Sequence, residues 1–492
     1  MAFGIQHGRA WFAIAFLATA LYLNGIFHPF IRYDDGLIVH NPAISGWLSL
    51  SGIAQTFFDL SLPTRTEHGG EYLPVRDLSA ALQSRIFGDH PAPYHLVAIL
   101  LYALVAITLF ETLLSLSVAF GTAFLATLLF TAHPVHVESV TWLSGHKDLL
   151  SLLFFLLCLK SYADRRPGRS IVSYLLGIGS KYTTLVAPVF LPAVDWSKRR
   201  PLSWRLLSVI LVLGIGVYQL IGHVASSVSY PHLAITGGWL DWLRNLPVVL
   251  DTAFSRLLVP LHLRLFYTFK PADHWFDPRF LRGTAEFLLL LLLAVRFGRT
   301  LSWLPFAAGL FLLNLAPMFR APTYCFLADR YLLLSSVGFV LLLAEGLLRI
   351  PYRATRFCLI ALFLVGYSLA TIAQNRVWAS DQALWENAAR AEPPVHPIVW
   401  NNLAAIYYQQ ENWAGAIRAD EHCLASLPLK DPSRLPFLLS SGYSRARLGD
   451  FKGAEQDYLE ALQIDPGNTA IKKNLQAARR FLAKKGNPGA SL

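Results

Sequence analysis

The feature that most constrains this chain is a series of long apolar segments, almost free of charge, near 10–27, 94–117, 119–132, 149–163, 171–194, 205–223, 284–297, 301–318, 331–349 and 354–373. A bilayer core of about 30 Å takes roughly 20 apolar residues as a helix. Several segments reach that length, and the rest are short enough to need tilting or burial inside a bundle. Lipid leaves the backbone only helices or a closed barrel. The period-two alternation of a barrel is missing, so the expected fold is all-α and polytopic. Composition agrees: 54% of residues are hydrophobic and only 15% charged, against about 25% charged in soluble domains.

Charge sets the orientation. Cations cluster between apolar segments at Arg165–Arg169, Lys198–Arg200, Arg296–Arg299 and Arg349–Arg356, which the positive-inside rule places in the cytoplasm. The net charge of +11 is therefore read as this excess, and no nucleic-acid surface is expected. The first apolar segment lacks a small-residue cleavage site and reads as a retained anchor. With 171–194 split at Ser180–Lys181 into two short spans, about eleven crossings result. Residues 28–93 form a large external loop, and 239–260, carrying four charges, reads as a helix lying on the outer face. The four cysteines, Cys158, Cys325, Cys358 and Cys423, suggest neither a disulfide framework nor a zinc site.

From about residue 375 the composition becomes that of soluble helices. A 34-residue tetratricopeptide (TPR) template fits twice. Trp400, Leu403, Ala404, Tyr407, Trp413, Ala416 and Pro428 match one copy; Gly442, Gly449, Phe451, Ala454, Tyr458, Ala461 and Pro466 match the next. Trp378, Trp385, Ala388 and Pro393 match the second half of an earlier copy, and 468–484 reads as a charged capping helix. The expected domains are a membrane domain over 1–374, a TPR domain over 375–484 and a tail over 485–492. Such an array presents surfaces for peptide or protein, or caps its neighbour. Trp400, Asn401 and Tyr407 are the candidate acceptor-binding residues.

On this topology the outer face gathers Asp34, Asp35, His133, His136, Glu138, His146, Lys147, Asp148, Lys181, Asp329 and Arg330. Charges at membrane depth are costly and point to function. Carboxylates there can take a proton, and Lys and Arg can hold a phosphate, which suits a substrate with a lipid tail and a phosphate head. Plainer roles are open to each: His133 and His136 hydrogen bonding at a helix end or binding metal, Glu138 pairing with Lys147, Asp148 capping the next helix, Asp329 pairing with Arg330.

The order of motifs resembles the transmembrane-and-TPR-repeat O-mannosyltransferases and their bacterial relatives, in the glycosyltransferase C (GT-C) superfamily. The resemblance is carried by Tyr33-Asp34-Asp35 with Asn41-Pro42, Tyr72–Pro74 through Phe87-Gly88, Tyr94–Val97, His133–Trp142, Lys147-Asp148, Ser180-Lys181, Ala328–Tyr331 and the TPR tail. It implies a GT-C bundle and transfer of a sugar, usually mannose, from a polyprenyl-phosphate carrier to a protein hydroxyl on the outer side. Asp34 or Asp35 would be the base or acceptor-positioning acid, and Glu138 a second acid. Lys147, Lys181 and Arg330, with His133 and His136, would hold the donor, and the repeats would present the acceptor. No metal ligand set is expected, although a divalent cation is compatible with such a site. Membrane lipids, the lipid-linked donor and an acceptor protein are the expected partners. The rival readings are a glycosyltransferase with a lipid or glycan acceptor and a non-catalytic TPR scaffold. A preponderance of Arg over Lys points to a bacterial inner membrane with the repeats in the periplasm; the alternative is the endoplasmic reticulum with lumenal repeats.

Overall fold

The computed structural model describes residues 2–33, 35–39, 41, 50–59, 71–226, 238–267, 269–313, 315, 328–390 and 397–486. Among these, every regular element is an α- or 3-10 helix, the fold expected. The chain divides into two compact units, Met1–Leu263 with Phe269–Ser380, and Arg264–Thr268 with Asp381–Leu492.

In the first unit, three helices are long and apolar enough to cross a membrane: Pro91–Ser115, Asp329–Leu348 and Arg353–Val377. A fourth crossing arises if Phe120–Ala132 and Pro134–Thr141, bent by 54°, act as one. Only 11% of the apolar window of Arg353–Val377 is buried, against 61% for the other two, so that helix offers most of its surface to lipid. Ala2–Tyr22, Trp204–Ser226 and Pro278–Phe297 are further long helices, of 21, 23 and 20 residues, in expected apolar segments. Several of the other segments form shorter helices divided by polar breaks. Pro167–Ser180 stops at Lys181, Ala187–Ser197 follows it after a 3-10 turn, and Leu304–Leu312 has nine residues. Such helices rise about 14–21 Å at 1.5 Å per residue, less than the hydrocarbon thickness.

The segment expected to begin at 284 starts earlier, at Pro278, where the Asp277 side chain caps the amide of Arg279. It packs along Gly238–Leu258. Arg282 joins the pair by gripping Asp251 at 2.8 and 3.0 Å, so one of the four charges in 239–260 serves helix packing. The basic turn after Ala187–Ser197 is closed by Arg200. Its guanidinium binds buried Asp195 and donates to the carbonyls of Ala163 (3.0 Å) and Tyr162 (2.9 Å). Asn375 on the last long helix ties the bundle at the opposite end, donating to Asn24 Oδ1 at 2.7 Å and accepting from Thr141 Oγ1 at 2.6 Å.

The second unit holds the helix pairs Pro397–Gln409 with Trp413–Ala425 and Leu435–Arg447 with Phe451–Ile464, preceded by Asp381–Ala389 and followed by Thr469–Gly486. Small residues at the crossings let the helices meet. A Cβ on Gly442 would lie 2.7 Å from the Tyr458 ring, and Ala416, Ala454 and Ala461 are fully buried. Pro393, matched to the earlier half-repeat, lies outside the described residues.

Candidate active site

The His133-Pro134 step ends one helix and starts a 3-10 turn, and the short helix Val137–Thr141 then leads off at an angle. This places Glu138, 3% exposed, against the 3-10 turn Asp329–Tyr331 that opens Leu332–Leu348. Glu138 binds Arg330 twice. Oε2 accepts from the Arg330 backbone amide at 3.1 Å, and Oε1 accepts from the guanidinium. A carboxylate at a helix start meets free amides and the positive end of the dipole.

Arg330 also lies over two rings, its guanidinium carbon 5.5 Å from the Trp142 centroid and 5.0 Å from that of Tyr331. Trp142 extends the contact. Its indole N–H donates to the Tyr33 carbonyl at 2.9 Å, and its ring stacks on Tyr33 at 5.6 Å and on Trp378 at 6.1 Å. Tyr33 directly precedes the acid pair. Asp34 lies outside the described residues; Asp35 opens the helix Asp35–Val39, is 1% exposed, and accepts from the Ile31 amide at 2.8 Å. Glu138, Arg330, Trp142 and Tyr33 are thus linked contact by contact, and Tyr33 lies two residues before Asp35.

Lys181 sits at the break between Pro167–Ser180 and the following 3-10 turn, where the backbone is extended. Its ammonium binds Asp148 and lies 5.8 Å from the Tyr331 centroid. Tyr331 is therefore flanked by Arg330 and Lys181, in a cleft lined also by Asp148, Ser151 and Thr184. Lys147, the neighbour of Asp148, donates to Glu71 at 3.1 Å. The same Glu71 oxygen accepts from Arg76 at 2.5 Å, and Arg76 Nε donates to fully buried Asp77 at 2.7 Å. Partial burial alone would raise the Glu71 carboxyl, but Lys147 and Arg76 outweigh it and hold it at about 2.

These pairings differ from the plain alternatives. Glu138 pairs with Arg330 and not with Lys147; Asp148 pairs with Lys181; Lys147 takes Glu71. Glu71, Arg76, Asp77 and the role of Trp142 were not anticipated. The available signal was three charges flanking Pro74, the first residue of the helix Pro74–Phe87. His133 and His136 stand apart from the cations. Both are fully buried with both ring nitrogens engaged. His133 meets the Leu257 carbonyl at 2.8 Å and the Val135 amide at 3.2 Å; His136 meets Tyr102 and Ser336 hydroxyls at 2.8 Å each. Hydrogen bonding between helices uses both rings fully, which leaves no nitrogen for a donor phosphate. Among the described residues no group of three His, Cys, Asp or Glu is arranged to hold a metal ion.

In the second unit Trp400 stacks on His422 at 3.9 Å, and the Tyr407 hydroxyl donates to Glu386 at 2.9 Å. Burial, with Glu386 beside it, pushes the Tyr407 hydroxyl up to about 12. Both side chains join helices of the array. Asn401 is exposed.

No protein-family model matches the chain, and no solved structure does. Named relatives do. Human protein O-mannosyl-transferase TMTC3 is 23% identical over 522 residues, covering 92% of this chain and 54% of the relative. Human TMTC2 is 36% identical over 147 residues, 30% of this chain and 18% of the relative; mouse TMTC1 is 35% identical over 136 residues, 27% and 14%. The chain spans about half the length of TMTC3. Along almost its whole length, this chain is similar to the transmembrane-and-TPR protein O-mannosyl-transferases.

Proposed function

We propose that this chain is an inverting membrane glycosyltransferase that moves a sugar, mannose by its resemblance, from a polyprenyl-phosphate carrier to a protein Ser or Thr hydroxyl on the extracytoplasmic side. The observation that carries this is the contact of Trp142 with Tyr33, two residues before Asp35, and with Arg330 of the Glu138–Arg330 pair, with Lys181 over the neighbouring Tyr331. The relatives' name, protein O-mannosyl-transferase, supports protein as acceptor and mannose as sugar.

In the reaction the acceptor oxygen attacks the anomeric carbon from the face opposite the phosphate. Asp34 or Asp35 takes the hydroxyl proton as general base. The bond from the anomeric carbon to the phosphate oxygen breaks, and its electron pair stays on that oxygen. Cations of the site stabilise the charge that develops on the departing phosphate. Glu138 orients Arg330 through both its amide and its guanidinium, and is the second acid near the sugar. The TPR repeats present the acceptor chain, with exposed Asn401 as a contact. The named relatives are animal proteins, which accords with the endoplasmic-reticulum alternative and lends no support to a bacterial inner membrane.

The test is incubation of purified full-length protein with polyprenyl-phosphate-mannose and candidate secretory proteins, read by mass spectrometry. Hexose on Ser or Thr, lost in Asp35→Asn, is expected. Hexose found only on lipid or glycan would replace the acceptor assignment, and no transfer with any sugar donor would sink the enzyme reading.

A further inference from the structure

Three cations offered for the donor phosphate, Lys147, Lys181 and Arg330, are each held by a carboxylate of the chain. A phosphate that binds any of them competes with that acid for the cation, so the acids bias which site opens. Glu138 and Asp148 have side chains 2% and 4% exposed. Stripping the partner from so buried a carboxylate leaves an uncompensated buried charge, which is strongly unfavourable. Glu71 differs: its side chain is 33% exposed, and it lies in irregular backbone ahead of the helix Pro74–Phe87. Rotating into water keeps it solvated.

What Glu71 leaves behind has the form of an anion site. One of its oxygens is shared by Arg76 and Lys147, at 2.5 and 3.1 Å. Arg76 does not follow Glu71 outward, because its Nε edge is fixed on fully buried Asp77 at 2.7 Å. Arg76 keeps Asp77 as a counter-charge, and Glu71 is the acid on Lys147. A sugar phosphodiester carries one negative charge and replaces one carboxylate without changing the local sum. Ser144, Gln83 and Tyr94 line the adjoining cleft and supply polar groups beside the two cations.

We propose that Arg76 and Lys147 form the phosphate site for the lipid-linked donor, and that Glu71 holds this site until the phosphate displaces it. The proposal rests on the glycosyltransferase reading for the identity of the ligand, but the anion site can be tested without transfer. Full-length protein in nanodiscs is titrated with farnesyl phosphate, with farnesol as the uncharged control. Glu71→Gln is expected to bind farnesyl phosphate at least tenfold tighter than the unaltered chain, with farnesol unchanged. Adding Arg76→Gln or Lys147→Gln should abolish the gain, whereas Arg299→Gln, on an exposed basic turn, should leave it intact. Unchanged or weaker binding by a Glu71→Gln protein that melts normally overturns the proposal; so does a gain that survives loss of both cations. Because Glu71→Gln keeps an amide in place, Glu71→Ala is titrated alongside and must show a gain of the same direction. Tighter binding with no hexose transfer from any donor would leave the anion site standing and remove the transferase reading. Transfer with no Glu71 effect would do the reverse.

Discussion

Arg330 and Glu138, 192 positions apart, are joined by two hydrogen bonds, one from the Arg330 backbone amide at 3.1 Å and one from its guanidinium. The double contact fixes the turn that starts Leu332–Leu348 against the short helix Val137–Thr141. It also aims the guanidinium plane between Trp142 and Tyr331. A buried pair of this kind adds little net stability over a well-packed apolar pair, yet losing one partner is expensive.

That asymmetry makes a prediction. Arg330→Met strands Glu138 and should cost about 3–5 kcal/mol. Glu138→Gln should cost less, because its amide oxygen still accepts from the Arg330 backbone. The double variant Glu138→Leu with Arg330→Met should recover part of the lost thermal stability while remaining inactive in sugar transfer. Melting curves of the three proteins in one detergent give the comparison; a double variant no more stable than Arg330→Met alone would show that the pair is uncoupled.

Trp142 should act by holding the acid-bearing turn in place. Trp142→Phe keeps an aromatic face for Tyr33, Trp378 and Arg330 but removes the donor to the Tyr33 carbonyl, a bond worth about 1 kcal/mol. The expected result is a fall in kcat of roughly tenfold, the order expected when a base is misplaced by a fraction of an ångström, with the donor KM unchanged. Trp142→Ala removes the shared ring and should lower stability by about 3–5 kcal/mol. Equal changes in kcat and donor KM for Trp142→Phe would count against a positioning role.

Much of this was readable before the fold was known, and the misses share a cause. Apolar runs marked the bundle, and Trp, Gly, Ala and Tyr at repeat spacing marked the helical pairs of the second unit. The break at Ser180-Lys181 and the isolation of Glu138 beside Pro134 are written in local residues. Pairing was not, because it joins distant positions: Glu71 meets Lys147 across 76 residues, and Glu138 meets Arg330 across 192. Local reading gave Glu138 its nearest cation, Lys147, which instead leads away on the next helix. His133 and His136 looked polar enough for a site, yet backbone and hydroxyl partners consume both rings, a choice set by which helices cross there.

In the repeat unit Asp420 should make stability depend on pH. It is fully buried, and burial, with Asp457 and Glu421 adding and the Ser440 hydroxyl opposing, pushes its carboxyl up to about 7. An unfolded Asp titrates near 3.9. The folded state therefore binds the proton more tightly, so stability is greatest below about pH 4 and falls as pH rises toward about 7, by a few kcal/mol at most on a linkage of 1.36 kcal/mol per unit. Asp420→Asn should flatten that slope and protect the helix Trp413–Ala425 at pH 8. Hydrogen exchange of this helix in the full chain at pH 5 and pH 8 measures it. Protection that rises with pH through this range would contradict the assignment.

Gly145 should prove as sensitive as the charged residues around it. It lies between Trp142 and Lys147, in the 3-10 turn Leu143–Gly145. A Cβ there would stand 2.8 Å from the Ser139 Cα, 2.8 Å from its carbonyl oxygen and 2.9 Å from the carbonyl oxygen of Glu138. These are backbone atoms and cannot rotate away. Gly145→Ala must therefore push the Glu138 helix from the turn that leads to Lys147 and Asp148, at an overpacking cost of about 1–3 kcal/mol. Because Glu138 is carried on one side of this contact and Lys147 and Asp148 on the other, transfer should fall far more than stability does. The comparison is with Gly121→Ala, where a Cβ meets nothing within 4 Å; that variant should melt and turn over like the unaltered chain. If Gly145→Ala also behaves normally, the close approach of these two turns does not set the geometry of the site.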